Sequence, residues 1–298
     1  MNGIINIYKE KGFTSHDVVA KLRGIFKQKK IGHTGTLDPD AQGVLPVAIG
    51  NATKVCDLIT DKDKAYRCVL LLGLTTDTQD ISGKELSRSE VTASEEEIVR
   101  AIKGFVGEYD QIPPMYSAIK IQGKKLYELA REGKEIERPA RRIRIYGIDI
   151  KEINLPRVTM EVSCSKGTYI RTLCHDIGEK LGCGGVMEDL LRIRSGEFDL
   201  SSAIKLSEAE RLVKEGGIEE RIIPVDWVFS SLKGVKCSAE ARKLLINGNR
   251  IPKDFISGDK EGLKNGENVR LYDDAGTFIG VYEYRSGAGD YKPVKLFL

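Results

Sequence analysis

No apolar run in this 298-residue chain approaches the ~20 residues that a helix needs to cross a bilayer. Lys9, Glu10 and Lys11 interrupt the first apolar stretch before a signal-type core could form. A soluble, cytoplasmic protein is therefore expected. Histidine is scarce, at three residues (His16, His33, His175), and the six cysteines (Cys56, Cys68, Cys164, Cys174, Cys183, Cys237) hold no Cys-x-x-Cys pair and no zinc spacing. No metal site is expected, and the cysteines read as reduced, mostly buried thiols. The chain has no phosphate-binding loop, no dinucleotide fingerprint, no repeat and no low-complexity tract. An excess of charge is missing too: 47 basic residues face 44 acidic ones.

The distribution of that charge says more than its sum. Lys21 to Lys30 carries five basic residues and no acidic one, and Lys120 to Arg144 carries nine basic against four acidic. Acidic residues collect around Glu95–Glu97 and Glu208–Glu220. Segregation of this kind on a nearly neutral chain suggests one face for a polyanion, although two ordinary solvated faces would look the same. A content of 41% hydrophobic and 31% charged residues is that of a globular protein, and the length favours two domains.

Gly3–Tyr8 reads as a strand, and Thr14-Ser15-His16-Asp17 as a capping box opening a helix with Val18, Leu22 and Ile25 on one face. His16 in that cap has a structural place. The helix runs into Lys27-Gln28-Lys29-Lys30, a basic cluster expected beside the segment that follows. Thr53–Ile59 reads as a short helix, Ala65–Gly73 as a buried strand, and Thr75–Glu90 as a loop or exposed hairpin. Ser94-Glu95-Glu96-Glu97 caps a helix, and Gln111–Ala118 is extended by its prolines. Strands are expected at Met115–Ile121, Arg142–Ile150 and Arg157–Cys164, with a short helix at Leu126–Arg131. Helices are expected at Tyr169–Leu181, at Val186–Leu191 and at Ser207–Glu215, the last with its own capping box. Strands and helices mix without βαβ alternation. The fold class is thus α+β, with a mixed, mainly antiparallel central sheet flanked by helices. Past Ser230–Gly234 a short helix (Ala239–Ile246) and short strands separated by glycine turns suggest a small β-barrel. The division is 1–232 and 233–298.

The segment Gly32–Lys54 organises the rest. Glycines (Gly32, Gly35, Gly43, Gly50) and Pro39 and Pro46 make it poor helix and poor strand material, and Pro39 pushes Asp38 out of the helical region. Leu37, Val44, Leu45, Val47 and Ile49 are threaded through it, so it packs onto a core and aims one side chain, that of Asp38. A plain surface turn is the bland alternative.

The run His33-Thr34-Gly35-Thr36-Leu37-Asp38-Pro39, continuing through Gly43-Val44-Leu45-Pro46 to Gly50-Asn51-Ala52-Thr53-Lys54, resembles the signature of the bacterial tRNA pseudouridine-55 synthases. Lys166-Gly167-Thr168-Tyr169-Ile170-Arg171 resembles their second signature, whose arginine pairs with the catalytic aspartate. The resemblance implies Asp38, Arg171 and Tyr66 as catalytic residues and His33, Tyr169, Leu190 and Lys166 as substrate-binding ones. Leu191 and Ile193 depart from the family's pattern around Leu190, and Val186 replaces a usual histidine. It further implies an isomerase that flips a T-loop uridine of tRNA, breaks its glycosidic bond and rejoins the base through carbon, needing no cofactor. A C-terminal PUA-like RNA-binding barrel, no obligate protein partner and a monomeric state belong to the same expectation.

The residues also stand without the family. A carboxylate ionised at neutral pH can be a nucleophile unaided, and a planar guanidinium can hold it bidentately. Three other readings compete. Cys174-His175-Asp176 could suggest a hydrolase, but helix neighbours point about 100° apart. A glycosidase would want a second acid, for which only Asp40 is near. A non-catalytic RNA-binding protein would have no use for a gripped Asp38.

Overall fold

The computed structural model describes residues 1–121, 123–257 and 262–298. Its first sheet is built from β1 (Gly3–Lys9), β2 (Ile31–His33), β3 (Gln42–Ile49), β4 (Lys64–Leu72), β7 (Gly107–Gln111), β10 (Arg141–Asn154), β11 (Arg157–Cys164), β12 (Gly185–Ser195) and β13 (Phe198–Asp199). Its main path runs β1-β3-β12-β4-β11-β10-β7, with β2 added to β3 and β13 to β12. Every pairing is antiparallel except β12 with β3. The mixed, mainly antiparallel sheet expected from the sequence is therefore present. Two small ribbons lie off it: β5 (Leu74–Thr76) with β6 (Glu85–Arg88), and β8 (Lys120–Ile121) with β9 (Lys124–Lys125).

Strand alternation decides how the layers form. On β1 and β3, Ile5, Ile7, Leu45, Val47 and Ile49 face helices α1 (Ser15–Phe26) and α6 (Leu206–Glu215). Ile4, Val44 and Ala48 face the other way, towards Ala52, Val55, Phe198 and Phe297. On β4 and β11, Tyr66, Cys68, Leu70, Val158, Met160 and Val162 pack beneath α3 (Glu95–Lys103) and α5 (Ile170–Lys180). The capping boxes at Thr14 and Ser94 form as their sequences predict, each with both reciprocal hydrogen bonds.

A second sheet follows: β14 (Lys233–Cys237), β15 (Ile251–Pro252), β16 (Ile256–Ser257), β17 (Asn268–Tyr272), β18 (Phe278–Arg285) and β19 (Asp290–Leu296), in the order β15-β19-β18-β17-β14-β16. With α7 (Arg242–Ile246) it encloses its own core around Tyr282, Tyr291, Val269 and Leu271.

Several expected elements differ. Val186–Leu191 is not a helix but most of β12, paired to β4 along its length and to β3 at Leu191 and Arg192. A bulge between Met187 and Asp189 breaks the alternation that marks a strand, so that Val186, Met187 and Leu190 are all buried while Glu188 and Asp189 are half-buried. Of the expected strand Met115–Ile121 only Lys120–Ile121 pairs. Pro113 and Pro114 supply no N–H, and the Tyr116 carbonyl is turned away to meet Arg171. Helix α6 starts at Leu206 behind Lys205, with no side-chain cap, because Leu206 itself is buried against α1. Part of the segment read as poor strand material is a strand: Gln42–Ile49 is β3, at the heart of the sheet. Finally, Lys27–Lys30 lies at the Ile49 end of β3, where the Gly50 N–H donates to the Lys30 carbonyl. Pro39 sits at the Gly43 end, so the basic cluster is about 20 Å of strand away from the Asp38 loop.

Candidate active site

Two strands meet β3 on the same edge, one at each end. β12 pairs at Gln42 and Gly43, and β2 pairs at Val47 to Ile49. The chain between His33 and Gln42 must leave that edge and return to it, which makes the loop that carries Asp38. Four side chains tie it down. Thr34 Oγ1 donates to the Pro46 carbonyl at 2.9 Å. Ser15 Oγ, in the first turn of α1, accepts from the Leu37 N–H at 2.9 Å. Lys9 Nζ donates to the Pro39 carbonyl at 3.0 Å, and also to those of Phe13 and Glu10. Arg192 reaches the Gly35 and Thr36 carbonyls from β12. Leu37 and Ala41 anchor the loop in the core next to Tyr66 and Leu190.

Asp38 is thus held at the loop tip with 38% of its side chain exposed, and Arg171, the second residue of α5, meets it with only 5% exposed. Arg171 Nε lies 3.0 Å from Asp38 Oδ2, and Nη2 donates to Oδ1 at 3.4 Å. The grip is bidentate, the geometry that fixes a carboxylate's plane. The rest of the guanidinium is tied to the Tyr116 carbonyl at 2.7 Å and the Thr78 carbonyl at 3.1 Å, with Asp80 Oδ2 at 3.7 Å. Asp80 in turn accepts from Thr78, Ser82 Oγ and the Ser82 N–H.

Burial pushes the Asp38 carboxyl above its ordinary value; Arg171 pulls it back, Asp80 pushes it up again, and Lys9 pulls it down. Burial also raises the Tyr66 phenol to about 12. Lys9 falls to about 8, mainly through burial. His33 falls to about 4 through burial, the charge of His16 and that of Arg192, so its ring is neutral at physiological pH.

The structure brings Asp38, Arg171, Tyr66 and Tyr169 within electrostatic reach of one another. Tyr66 lies on β4, and Leu190, its neighbour in the core, on β12. Tyr169 is the residue before α5, held by Gln111, which accepts from its N–H at 2.8 Å and donates to its carbonyl at 3.0 Å. His33 stands at the loop's entrance, its ring edge-on to His16 at 5.2 Å between centroids. Lys166 stands apart, in an exposed ion pair with Asp61 at 2.9 Å.

Sequence reasoning missed Lys9, Ser15, Asp80, Gln111 and Arg192. Asp80 lies in Thr75–Glu90, where nothing local marks it above Asp77. For Arg192, a charged residue amid Leu190, Leu191 and Ile193 was the available signal. The Cys174-His175-Asp176 grouping disperses: Cys174 is buried against Cys68, and Asp176 accepts from the Tyr109 hydroxyl. Among the described residues no cluster of three potential metal ligands occurs, and no helix is long and apolar enough to cross a membrane.

Comparison with known proteins finds relatives along the whole chain. The model of the TruB family pseudouridylate synthase N-terminal domain matches residues 23–170, and that of the tRNA pseudouridylate synthase B C-terminal domain matches 171–230. A tRNA pseudouridine synthase B of Lachnoclostridium phytofermentans is 53% identical over 307 aligned residues, covering 100% of both chains. That of Clostridium novyi is 49% identical over 94% of this chain and 95% of its own. Among solved structures, a chain from a Cbf5–Nop10–Gar1 complex superposes with a TM-score of 0.69 at 30% identity, over 99% of this chain and 85% of that one. Another, from an H/ACA ribonucleoprotein bound to a substrate RNA containing 2′-deoxyuridine, gives 0.68 at 28%, over 99% and 85%. On full-length sequence similarity, shared fold and matching domain models together, the chain belongs to the TruB family of pseudouridylate synthases.

Proposed function

We propose that the chain isomerises uridine-55 in the T loop of tRNA, with Asp38 as the catalytic group. The observation that carries this is the bidentate grip of a buried Arg171 on a carboxylate that keeps a third of its surface open. A carboxylate held in plane and left partly open is placed to meet a ligand, and an RNA-binding protein would have no use for an anion presented in this way.

In this reading the uridine leaves its stack and enters beside Tyr66, at a cost of a few kcal/mol that stacking on side chains offsets. The N1–C1′ bond breaks and a C5–C1′ bond forms. The C5 proton is lost and N1 gains one, so the reaction is redox-neutral and needs no co-reactant. Arg171 holds Asp38 in plane for its contact with the nucleotide. Tyr66 and Leu190 bound the base, while Tyr169 and His33 contact the loop nucleotides around it. A neutral His33 suits that task, because a ring without charge can lie against a base without drawing a phosphate instead. Lys166 meets the RNA backbone after giving up its exposed partner Asp61, a pair worth less than about 1 kcal/mol. Residues 1–232 form the catalytic unit and 233–298 a PUA-like barrel that adds RNA affinity. The protein acts as a monomer in the cytoplasm, without an obligate protein partner.

Tritium release from 5-tritiated uridine in a T-arm RNA tests the proposal. Wild type is expected to release tritium, and Asp38→Asn to release none while binding the RNA unchanged. Absence of release by wild type, with binding intact, would move the chain to the RNA-binding reading.

A further inference from the structure

Arg192 has no part in the chemistry above, yet it is among the largest fully buried side chains in the molecule, at 1% exposure. Burying a guanidinium costs several kcal/mol unless an anion compensates it. Among the described residues no carboxylate forms an ion pair with this one, and the Tyr66 phenol is the group that favours its charge. Its charge also bears on its surroundings, helping to push down Lys9, His33 and Lys64. An apolar side chain would fill the same space at lower cost, so packing alone does not account for an arginine here.

What the guanidinium does is join two structures. Nε donates to the Val44 carbonyl at 2.7 Å, Nη2 to that of Gly35 at 3.3 Å and Nη1 to that of Thr36 at 3.5 Å. Gly35 and Thr36 enter the Asp38 loop, and Val44 lies just beyond its exit. One side chain therefore closes the loop across both of its ends. Its backbone is placed with equal economy, opposite Gly43 in the parallel pairing with β3 and opposite Tyr66 in the antiparallel pairing with β4. The first contact is possible only at a glycine: a Cβ on Gly43, whose φ is +105°, would stand 2.3 Å from the Arg192 carbonyl oxygen. Arg192 thus touches the strand of Tyr66 and both ends of the loop of Asp38. Its charge also acts on the Tyr66 phenol, whose proton it makes easier to lose.

We propose that Arg192 is a positioning residue that fixes Asp38 and Tyr66 relative to each other, so that both address one bound base. The inference rests on the proposed function. It predicts a loss in the chemical step and not in RNA binding, because Arg192 is out of reach of RNA.

The test is single-turnover pseudouridine formation on T-arm RNA with saturating enzyme, beside RNA affinity and thermal melting, for Arg192→Lys and Arg192→Met. Arg192→Lys keeps the cation but cannot span three carbonyls. Displacing a reacting group by about 1 Å costs on the order of 100-fold in rate. A fall approaching that is expected for Arg192→Met and a smaller one, above about 10-fold, for Arg192→Lys, with Kd within about threefold of wild type in both. A folded Arg192→Lys that reacts within about twofold of wild type overturns the proposal, as does a loss confined to Kd. Failure of Arg192→Lys to fold also overturns it, since the residue would then be a determinant of the fold. A wild type without activity would instead defeat the proposed function, so the two failures are distinguishable.

Discussion

Asp38 faces two buried cations, Arg171 and Lys9, and two carboxylates of its own sign, Asp80 and Asp40, and the balance between them has a measurable consequence. Its carboxyl is held above the ordinary 3.8, with burial the largest cause and Asp80 contributing in the same direction. If the ionised form acts on the nucleotide, the rate falls as pH drops through this raised value, so the acid limb lies above the usual carboxylate range. Asp80→Asn removes a negative charge and makes proton binding to Asp38 less favourable. The limb is then expected to move to lower pH, measured as single-turnover rate from pH 4 upward. A limb that stays in place would mean that Asp80 does not influence Asp38. At this scale the sequence was informative where a residue type carries chemistry by itself. Asp38 before a proline and Arg171 early in a helix could be singled out. Asp80 could not, and the charge of Arg192 among apolar neighbours marks that residue without saying what it holds, because their partners lie more than ninety positions away in one case and some hundred and fifty in the other, a distance no local pattern encodes.

Elements show the same division. The helices α1 and α3 were legible because their caps are local hydrogen bonds written in four residues. β12 was not, because a bulge between Met187 and Asp189 breaks its alternation and the strand it pairs with along its length, β4, lies more than a hundred positions earlier in the chain. The turn before it supplies a test at this scale. Gly178, in the helix that carries Arg171, packs so closely that an added Cβ would stand 2.1 Å from the Gly185 nitrogen and 2.2 Å from the Gly184 carbonyl carbon. In an open helix Gly→Ala gains about 1 kcal/mol. Here it must separate α5 from β12, and overpacking costs about 1–3 kcal/mol. Gly178→Ala is therefore expected to lower Tm by several degrees and to reduce the rate through Arg171. A Tm equal to or above that of wild type would show that α5 can move freely against the turn.

For the whole molecule, composition and turn spacing predicted a β-barrel after residue 232, and a simple experiment would be to delete it. The packing argues against that experiment. Phe278 and Phe297 of the second sheet stack at 5.3 Å, and Phe297 shares a core with Ile4, Val44, Ala48 and Ala52 of the first. Asn51 Nδ2 donates to the Phe297 carbonyl at 3.0 Å and Lys54 Nζ to that of Leu296 at 2.8 Å, so the end of the last strand closes onto the segment that ends the Asp38 motif. Truncation would strip the back of β1 and β3 and destabilise the site along with any RNA contacts of the barrel. Phe297→Ala is the cleaner change, because it removes one anchor and leaves the second sheet's own core and the first sheet's core beneath α1 and α6 in place. Truncating a buried Phe costs about 3–5 kcal/mol, which is enough to loosen the docking. If the barrel serves to hold tRNA against the catalytic sheet, Kd for full-length tRNA should rise several-fold while the single-turnover rate on a saturating T-arm hairpin stays within about twofold. An equal fall in both would place the barrel's contribution in the stability of β3, and through it in the aim of Asp38.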